Sequence, residues 1–385
     1  MHVLYSFPHV LDRPGIAVTA LNQILGLSRL GVKVTLFCGF VGSAVLPSSV
    51  EVHETLALAG RRIPHRALGV QRAYNVHDLL TARWLAAHAG DIHIVHAWPR
   101  GCLRTLRSAR RAGIVALRES PNPHTASVMR ESLRASENAG VSLPTAHSHA
   151  SNNAVLKTEL LEYSEAARIL VPSDYAHQEF IREGFPVQKL LQHRSGCDLS
   201  KFSERPPTRS SVTPLQVAFV GRGDPTKGLH IALRAWEQAS LVDATFTIAG
   251  RMEANYAESL KHLLQLPGVN VLGFVSDVPS LLARSDVLLL PTWTEGSALV
   301  IYEAQASGCV PMVSSASGAL GRPGTDFLEH QVGAIDELAA QLTSASGNRD
   351  WLRHLSLECT RNRKKFSWDQ AAVSLHGCYV QALAS

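Results

Sequence analysis

Short apolar runs alternate with longer amphipathic stretches along the first half of the chain. The apolar runs predict buried strands at residues 2–7, 32–38, 93–96, 114–118 and 168–171. Between them, apolar residues at helical spacing predict helices over 18–30, 76–89, 125–140 and 156–167. Alternation of this kind indicates the α/β class, with a doubly wound parallel sheet covered by helices on both faces.

A break in composition separates this half from a second one. Residues 204–214 are rich in Pro, Ser and Thr and show no periodicity, which predicts an interdomain linker. The alternation then restarts, with strands predicted at 215–220, 245–248, 269–272, 286–290 and 310–313, and helices at 228–239, 256–266, 278–283 and 299–306. We therefore predict an N-terminal domain over 1–203, a C-terminal domain over 215–365 and a terminal helix over 366–385.

Two carboxylates flank the helix start that follows the strand at 286–290. Glu295 lies in the loop and Glu303 lies one to two turns into the helix, with seven residues between them. The helix start between them offers unpaired backbone N–H groups and the positive end of the helix dipole, which suit a diphosphate. The alternative is a pair of solvated carboxylates on a helix face.

A second polar loop follows the strand predicted at 215–220. Arg222 offers a forked donor for phosphate oxygens, and Lys227 adds a mobile positive charge. Gly221 and Gly228 allow the backbone to approach a ligand closely. The alternative is an ordinary strand–helix turn with two surface cations.

Together these segments resemble the G-R-x4-K-G and E-x7-E signatures of the retaining glycosyltransferases of family 4. The resemblance covers most of the chain and is most specific at 219–229 and 291–318. It implies a GT-B fold, in which two Rossmann-like doubly wound domains face each other across a cleft. The N-terminal domain would bind the acceptor and the C-terminal domain the nucleotide-diphosphate sugar, while the helix at 366–385 would pack back toward the N-terminal domain.

The resemblance also implies roles around the donor. Arg222 and Lys227 would stabilise the diphosphate leaving group, Glu303 would bind the ribose hydroxyls, and Glu295 would lie by the transferred sugar as a catalytic residue. The backbone after Glu295 would hold the sugar and phosphate, at Gly296, Ser297, Ala298 and Leu299. Many family members have an aromatic residue and glycine where this chain has Ser297-Ala298.

Two further positions complete the implied donor site. Gly273 and Phe274 would border the base, with a packed turn as the alternative interpretation. Gly15 opens the loop after the first strand and would lie near the donor phosphates, although the family usually has Gly-Gly where this chain has Pro14-Gly15.

On the acceptor side, many family members have a catalytic histidine at the end of the strand that corresponds to 114–118. Glu119 occupies the strand end here, and His124 follows five residues later. We predict that His124 contacts the sugar and helps to position the acceptor, because an imidazole can hydrogen-bond a hydroxyl and change protonation near pH 7. A helix-capping surface histidine is the alternative. His96 ends another strand and is a further acceptor-side candidate or a core histidine.

Composition narrows the classes of function. The net charge of +5 is too small to indicate nucleic-acid binding. Six cysteines without a C-x-x-C pair indicate a reducing compartment. No apolar run is long enough for a membrane span and no signal-peptide pattern occurs, so a cytoplasmic location is predicted. Because D-x-D and H-E-x-x-H motifs are absent, we expect no metal or other cofactor.

A basic stripe is the exception to this modest charge. Arg100, Arg104, Arg107 and Arg111 recur at helical spacing. A solvated helix face is one interpretation, and peripheral contact with an anionic membrane at its inner face is the other.

The predicted reaction transfers a sugar, with retention at the anomeric carbon, from a UDP- or GDP-sugar to a hydroxyl of a glycan, lipid-linked or small-molecule acceptor. Such reactions build cell-surface polysaccharides or glycosylate metabolites. Two alternatives are a nucleotide-sugar epimerase of the same fold and a catalytically silent nucleotide-sugar-binding subunit. A nicotinamide dehydrogenase is disfavoured because no G-x-G-x-x-G follows the first strand.

Overall fold

The computed structural model describes residues 1–58, 60–144, 147, 149–203 and 213–384. Within these residues the chain forms two α/β domains, each built on a parallel sheet. Residues 204–212, which make up most of the predicted linker, lie outside the described residues.

The N-terminal domain contains a twisted parallel sheet. Its strands and a small hairpin are β1 (His2–Val10), β2 (Lys33–Phe40), β3 (Val50–Glu54), β4 (Ala57–Leu58), β5 (Arg61–Arg62), β6 (Ile94–Ala97), β7 (Val115–Glu119), β8 (Arg168–Val171) and β9 (Leu190–Gln192). Among the described residues the sheet has the order β3-β2-β1-β6-β7-β8-β9, and β4 pairs antiparallel with β5. The central strands are buried along almost their whole length, as expected when helices cover both faces.

The helices of this half are α1 (Ile16–Arg29), α2 (His65–Leu68), α3 (Val70–Ala87), α4 (Leu103–Arg111), α5 (Thr125–Ala139), α6 (Asn153–Glu165) and α7 (Asp174–Arg182). Side chains cap three of them, since His124 at α5, Asn152 at α6 and Ser173 at α7 each accept a backbone N–H of the first turn.

The C-terminal domain repeats this architecture. Its strands are β10 (Gln216–Val220), β11 (Thr245–Ala249), β12 (Val269–Gly273), β13 (Val287–Leu290), β14 (Val310–Ser314) and β15 (Leu328–His330). Its helices, with the terminal one, are α8 (Leu229–Ala239), α9 (Ala254–Ser259), α10 (Val278–Arg284), α11 (Leu299–Ser307), α12 (Ile335–Gly347), α13 (Arg349–Asn362) and α14 (Trp368–Ala384). The described strands pair in the parallel order β12-β11-β10-β13-β14-β15.

The last helix, α14, returns to the N-terminal domain and packs on α1. The two helices meet so closely that a Cβ on Gly26 would lie 2.4 Å from Cβ of Ala372. Leu375 and Tyr379 are fully buried in the same core as strand β1. The apolar face of α14 is therefore part of the N-terminal domain.

Some elements differ from those predicted. Strands β3, β9 and β15 were not predicted, because each is short and β3 alternates with acidic residues at a sheet edge. The helix predicted at 256–266 is instead α9 followed by a separate 3₁₀ turn at Leu263–Gln265. Leu260 and Leu263 are both buried, so apolar spacing alone did not reveal the interruption.

The order of the strands in each sheet predicts where the ligand-binding cleft lies. In each sheet the direction of winding reverses at one point, between β1 and β6 in the first sheet and between β10 and β13 in the second. In open α/β sheets, ligands bind beyond the carboxyl ends of the strands at this reversal. The two reversal points face each other, so the loops after these four strands are expected to form the site.

Candidate functional site

A cavity of about 1020 Å³ lies between the two domains at this position. The loops after β1, β6, β10 and β13 all contribute to its wall. The N-terminal side includes Pro14, Gly15, Ile16, Thr19, Trp98, Glu119, Pro121, Asn122, Pro172, His193 and Ser195. The C-terminal side includes Gly221, Arg222, Lys227, Gly250, Arg251, Phe274, Glu295, Ser297, Ala298, Leu299 and Val300.

A buried carboxylate organises the loop that carries Arg222 and Lys227. Asp224 accepts the backbone N–H groups of Thr226 at 2.9 Å and Lys227 at 3.3 Å, which forms a tight 3₁₀ turn. Burial opposes ionisation of Asp224, but hydrogen bonds from His147 and Thr226 outweigh it and lower its pKa to about 2. The turn therefore has a fixed backbone and an ionised core.

The glycine that ends this turn is required by a close backbone approach. Gly228 has φ +72°, and a Cβ there would lie 1.9 Å from the carbonyl oxygen of Pro291. Any larger residue would push the Lys227 turn away from the loop after β13. This contact fixes Lys227 beside the segment that contains Glu295.

The Lys227 ammonium donates a hydrogen bond to the Glu295 carboxylate in the cleft. Burial opposes the charge of Lys227, but the attraction of Glu295 and Asp224 outweighs this effect and raises its pKa. Lys227 is therefore a permanent cation facing the cavity. Arg222, which is half exposed and lines the cavity, pairs with Glu253 at the start of α9.

The loop after Glu295 is pressed against the N-terminal domain. A Cβ on Gly296 would lie 1.8 Å from the carbonyl oxygen of Pro121, and the Gly296 carbonyl accepts a hydrogen bond of 2.6 Å from the Ser173 hydroxyl. Gly296 itself is not among the lining residues, but Ser297, Ala298 and Leu299 are. Helix α11 starts at Leu299 without a side-chain cap, so the N–H groups of Leu299 and Val300 are available at the cavity wall, whereas the Ile301 N–H donates to the Ala298 carbonyl at 3.0 Å.

Glu303 lies away from this cavity. It is half-buried on α11, and burial raises the pKa of its carboxyl while Lys201 opposes the rise. Lys201 and Ser307 line a separate cavity of about 620 Å³ beside α10. Of the two predicted carboxylates, Glu295 is among the residues that line the cleft cavity and Glu303 is not.

The predicted base-bordering residues lie at the outer end of the cleft. Phe274 is 70% exposed and lines the cavity, and the Arg251 guanidinium lies over its ring at 5.5 Å from the centroid. Gly273 ends β12 with φ +68° and is not among the lining residues. Arg251 follows strand β11 and was not predicted, although its place at the carboxyl end of a strand could have identified it.

His124, predicted to act at the reaction centre, lies in the interior of the N-terminal domain. His124 is buried and not among the residues lining the cavity. Its Nδ1 accepts the Ala126 N–H at 3.3 Å and so caps α5, while its ring packs against Phe180 and Phe185. Burial lowers its pKa. Pro121 and Asn122 line the cavity, but His124, two residues later, does not.

Glu119 does reach the cavity, and its partner there is a residue that sequence reasoning missed. His193 Nε2 lies 2.9 Å from Glu119 Oε1, and both side chains are almost completely buried in the wall. The attraction lowers the pKa of Glu119 and raises that of His193, even though burial opposes both charges. His193 directly follows β9, the three-residue strand that was not predicted.

His96 supports this pair from behind. Its Nε2 lies 3.2 Å from Glu119 Oε2, and its Nδ1 lies 2.6 Å from the hydroxyl of Tyr379 on α14. Gln23 donates a further hydrogen bond of 3.1 Å to Glu119. His96 is fully buried and burial lowers its pKa, so it is a core histidine that connects the cleft wall to α14. Gly15, by contrast, lines the cavity.

Internal carboxylates balance most of the predicted arginine stripe. Arg100 pairs with Glu159 at 2.8 Å and Arg107 with Glu165 at 2.9 Å. Arg104 lies 3.8 Å from Asp78, which also caps α4. These contacts reduce the positive charge that the stripe would offer to a membrane.

The part of the chain that the structure describes contains neither a metal-binding cluster nor a membrane-spanning helix. No group of three or more His, Cys, Asp or Glu side chains in this part of the chain is arranged to hold a metal ion. None of its helices combines the length and apolar character needed to cross a bilayer.

Comparison with known proteins connects this geometry to a family. Residues 214–348 match a family model described as glycosyl transferases group 1. A D-inositol 3-phosphate glycosyltransferase from Mycobacterium leprae (strain Br4923) is 28% identical over 409 residues, covering 98% of this chain and 90% of its own.

Solved structures have the same architecture. Sucrose-phosphate synthase from Thermosynechococcus elongatus superimposes with a TM-score of 0.71 at 16% identity, covering 100% of this chain and 99% of its own. Anabaena Alr3699/HepE in complex with UDP-glucose superimposes with a TM-score of 0.66 at 15% identity, covering 99% of this chain and 100% of its own. The likeness confirms the predicted GT-B fold.

Proposed function

We propose that this chain transfers a sugar from a nucleotide-diphosphate sugar to an acceptor hydroxyl with retention at the anomeric carbon, because residues 214–348 match the glycosyl transferases group 1 model and the chain is 28–29% identical to curated glycosyltransferases. The observation that carries the proposal is the arrangement of Lys227, Glu295 and the start of α11 on one wall of the interdomain cleft. This arrangement places a permanent cation and free N–H groups next to a carboxylate.

The donor is proposed to be a UDP- or GDP-sugar bound through its diphosphate. Lys227 and Arg222 supply positive charge, and the first N–H groups of α11 supply hydrogen-bond donors. These groups can neutralise a diphosphate, so we propose that no metal is required. The solved structure of HepE with UDP-glucose supports the choice of nucleotide, since it has the same fold.

In the proposed reaction the acceptor oxygen attacks the anomeric carbon on the face that the diphosphate leaves. The new glycosidic bond forms as the sugar–phosphate bond breaks, and the acceptor proton passes to a phosphate oxygen of the leaving group. Negative charge grows on the diphosphate during this step, where Lys227 stabilises it. Glu295 would interact with the positive charge that develops on the sugar.

The acceptor is proposed to bind along the N-terminal wall. Trp98, Asn122 and the Glu119–His193 pair provide an apolar surface and polar groups suited to a hydroxylated molecule. The relatives named D-inositol 3-phosphate glycosyltransferase support a polyol or sugar acceptor. We propose a cytoplasmic site of action. Contact of the arginine stripe with an anionic membrane stays a prediction, and the ion pairs of Arg100 with Glu159 and of Arg107 with Glu165 weaken it.

A thermal-shift panel followed by a transfer assay tests this proposal. UDP, GDP, ADP and their common sugar conjugates are added without metal, because a ligand that binds only the folded state raises Tm. A shift with one nucleotide and transfer of its sugar to a polyol or glycan would support the proposal. Conversion of the donor without any acceptor would instead indicate an epimerase, and binding without turnover would indicate a silent subunit.

A further inference from the structure

The loop that carries Lys227 is contacted from the opposite domain by a histidine outside the predicted site. His147, which follows α5 in the N-terminal domain, lies with its Nε2 3.4 Å from Oδ2 of Asp224. Both side chains are almost completely buried, with 2% and 3% of their surfaces exposed. Burying a carboxylate and an imidazole costs free energy unless each has a hydrogen-bonding partner, and this contact between the two domains provides one for both.

The hydrogen bonds around His147 determine which ring nitrogen carries the proton. The backbone N–H of His149 donates to His147 Nδ1 at 3.2 Å. Because Nδ1 accepts, the proton lies on Nε2, the atom that faces Asp224. His147 is therefore oriented as a donor to the carboxylate.

Asp224 transmits this contact to Lys227. Its Oδ1 accepts the N–H groups of Thr226 and Lys227, while Oδ2 faces His147. The same carboxylate thus fixes the backbone of the turn on one side and is fixed by the N-terminal domain on the other. Displacing Asp224 would displace the backbone from which Lys227 reaches Glu295.

Neighbouring contacts show that His147 belongs to a wider interdomain surface. Asn138 Oδ1 lies 3.0 Å from Nε2 of His230, and the Asn255 amide donates to the Ser142 carbonyl at 2.9 Å. These two contacts join the same segment to the C-terminal domain without touching Asp224. They provide matched controls for a role that is specific to the Asp224 contact.

We propose that His147 is a positioning residue that completes the donor site when the two domains close, by holding Asp224 and through it Lys227. This inference rests on the proposed function, since the reaction supplies the readout. Domain closure would then align the diphosphate-binding cation only when the N-terminal wall, with the acceptor, is in place. Such coupling would limit hydrolysis of the donor by water.

The test compares kcat, KM and donor hydrolysis for wild type, H147A, H147Q and D224N, with N255A as the control. The H147A variant should lower kcat by about 10- to 100-fold, the effect of losing one hydrogen bond to a charged group. H147Q should recover much of this loss, because its side-chain amide can donate from nearly the same position. UDP affinity should fall in H147A in the same direction as in a Lys227 variant, because the displaced ammonium contacts the diphosphate, and N255A should keep a kcat and a UDP affinity close to those of wild type.

A double variant shows whether His147 acts by holding Asp224 or only by joining the two domains. If His147 acts through Asp224, then H147A combined with D224N should be no worse than the more damaging single variant. If the losses multiply, if H147Q is no better than H147A, or if H147A keeps wild-type kcat, the inference is wrong.

Two further outcomes, an unfolded H147A variant and an inactive wild type, are each resolved by a second measurement. If H147A does not fold, H147Q against H147M gives the same comparison at similar side-chain length. An inactive wild type that binds no nucleotide would overturn the proposed function instead, whereas an active wild type with an equally active H147A overturns only the role of His147.

Discussion

Lys227 and Glu295 form an ion pair in the interdomain cleft, although 67 residues separate them in the sequence. Each follows one of the two strands at which the winding of the C-terminal sheet reverses, β10 and β13. The close packing of Gly228 on Pro291 holds the two loops together. The pair thus combines a cation for a diphosphate with a carboxylate for a sugar.

Replacing Glu295 with glutamine separates these two roles. The E295Q variant should lower kcat by about 100-fold or more, because the developing positive charge on the sugar loses its counter-charge. UDP affinity should stay the same or increase, since Lys227 is released from its partner. Isothermal titration and steady-state kinetics measure the two effects. E258Q, which alters an exposed ion pair with Lys261, is the control; equal kcat in both variants would remove Glu295 from the reaction.

Because His124 lies in the interior of the N-terminal domain, we expect its replacement to lower stability without a comparable loss of activity. In H124N, the asparagine can still cap α5, but the ring contacts with Phe180 and Phe185 are lost. We expect Tm to fall by a few degrees while kcat stays within about threefold of wild type. A large fall in kcat at unchanged Tm would contradict this expectation and indicate that His124 acts at the reaction centre.

Gly296 should be intolerant of even a methyl group. In G296A the new Cβ would overlap the Pro121 carbonyl, so the two domains could not approach as they do here. We expect kcat to fall by about 100-fold, the loss typical of a 1 Å misplacement, with both domains still folded by circular dichroism. G377A, in α14 with open space around it, should be neutral. Full activity of G296A would mean that this contact is not part of the active arrangement.

Buried histidines predict how stability depends on pH. Burial lowers the pKa of His330 from its ordinary value of 6.5 to about 4. Between these values the unfolded chain binds a proton that the folded protein does not, so stability should fall as the pH decreases from 6.5 toward 4. One such histidine contributes up to about 1.4 kcal/mol per pH unit.

The H330Q variant tests this directly. Its free energy of unfolding, measured by urea titration between pH 4.5 and 6.5, should decrease less steeply with falling pH than that of wild type. His149 and His230, whose pKa values burial lowers to about 4 and about 3, remain in both proteins and keep some slope. The exposed His262 provides a control, since H262Q should keep the wild-type slope. An unchanged slope in H330Q would contradict the assignment.

The sequence was sufficient to predict the architecture and the residues of one wall of the cleft. Arg222, Lys227 and Glu295 belong to local patterns of strand, loop and helix, so their spacing was enough to place them at one sheet edge. His193 was missed because β9 has only three residues and no clear alternation. The proposed role of His147 could not be predicted from the sequence, because it depends on a contact with Asp224, which is 77 positions away.

Orientation was the other limit of sequence reasoning. His124 lies in the chain where a catalytic histidine was expected, yet its side chain turns into the domain core. Glu303 follows Glu295 at the predicted spacing but is not among the residues that line the cleft cavity. Spacing gives the position of a residue on an element, whereas the neighbouring elements decide which surface the side chain faces.

Nucleotide binding in the absence of metal tests the central claim most directly. Isothermal titration of UDP, GDP and ADP is performed in EDTA on wild type and on K227A, with K261A as a control for an exposed lysine. One nucleotide should bind wild type and K261A equally, and K227A should bind it at least about tenfold more weakly, because a charge-assisted contact to the diphosphate is lost. If no nucleotide binds, or if K227A binds as tightly as wild type, the proposed donor site is wrong.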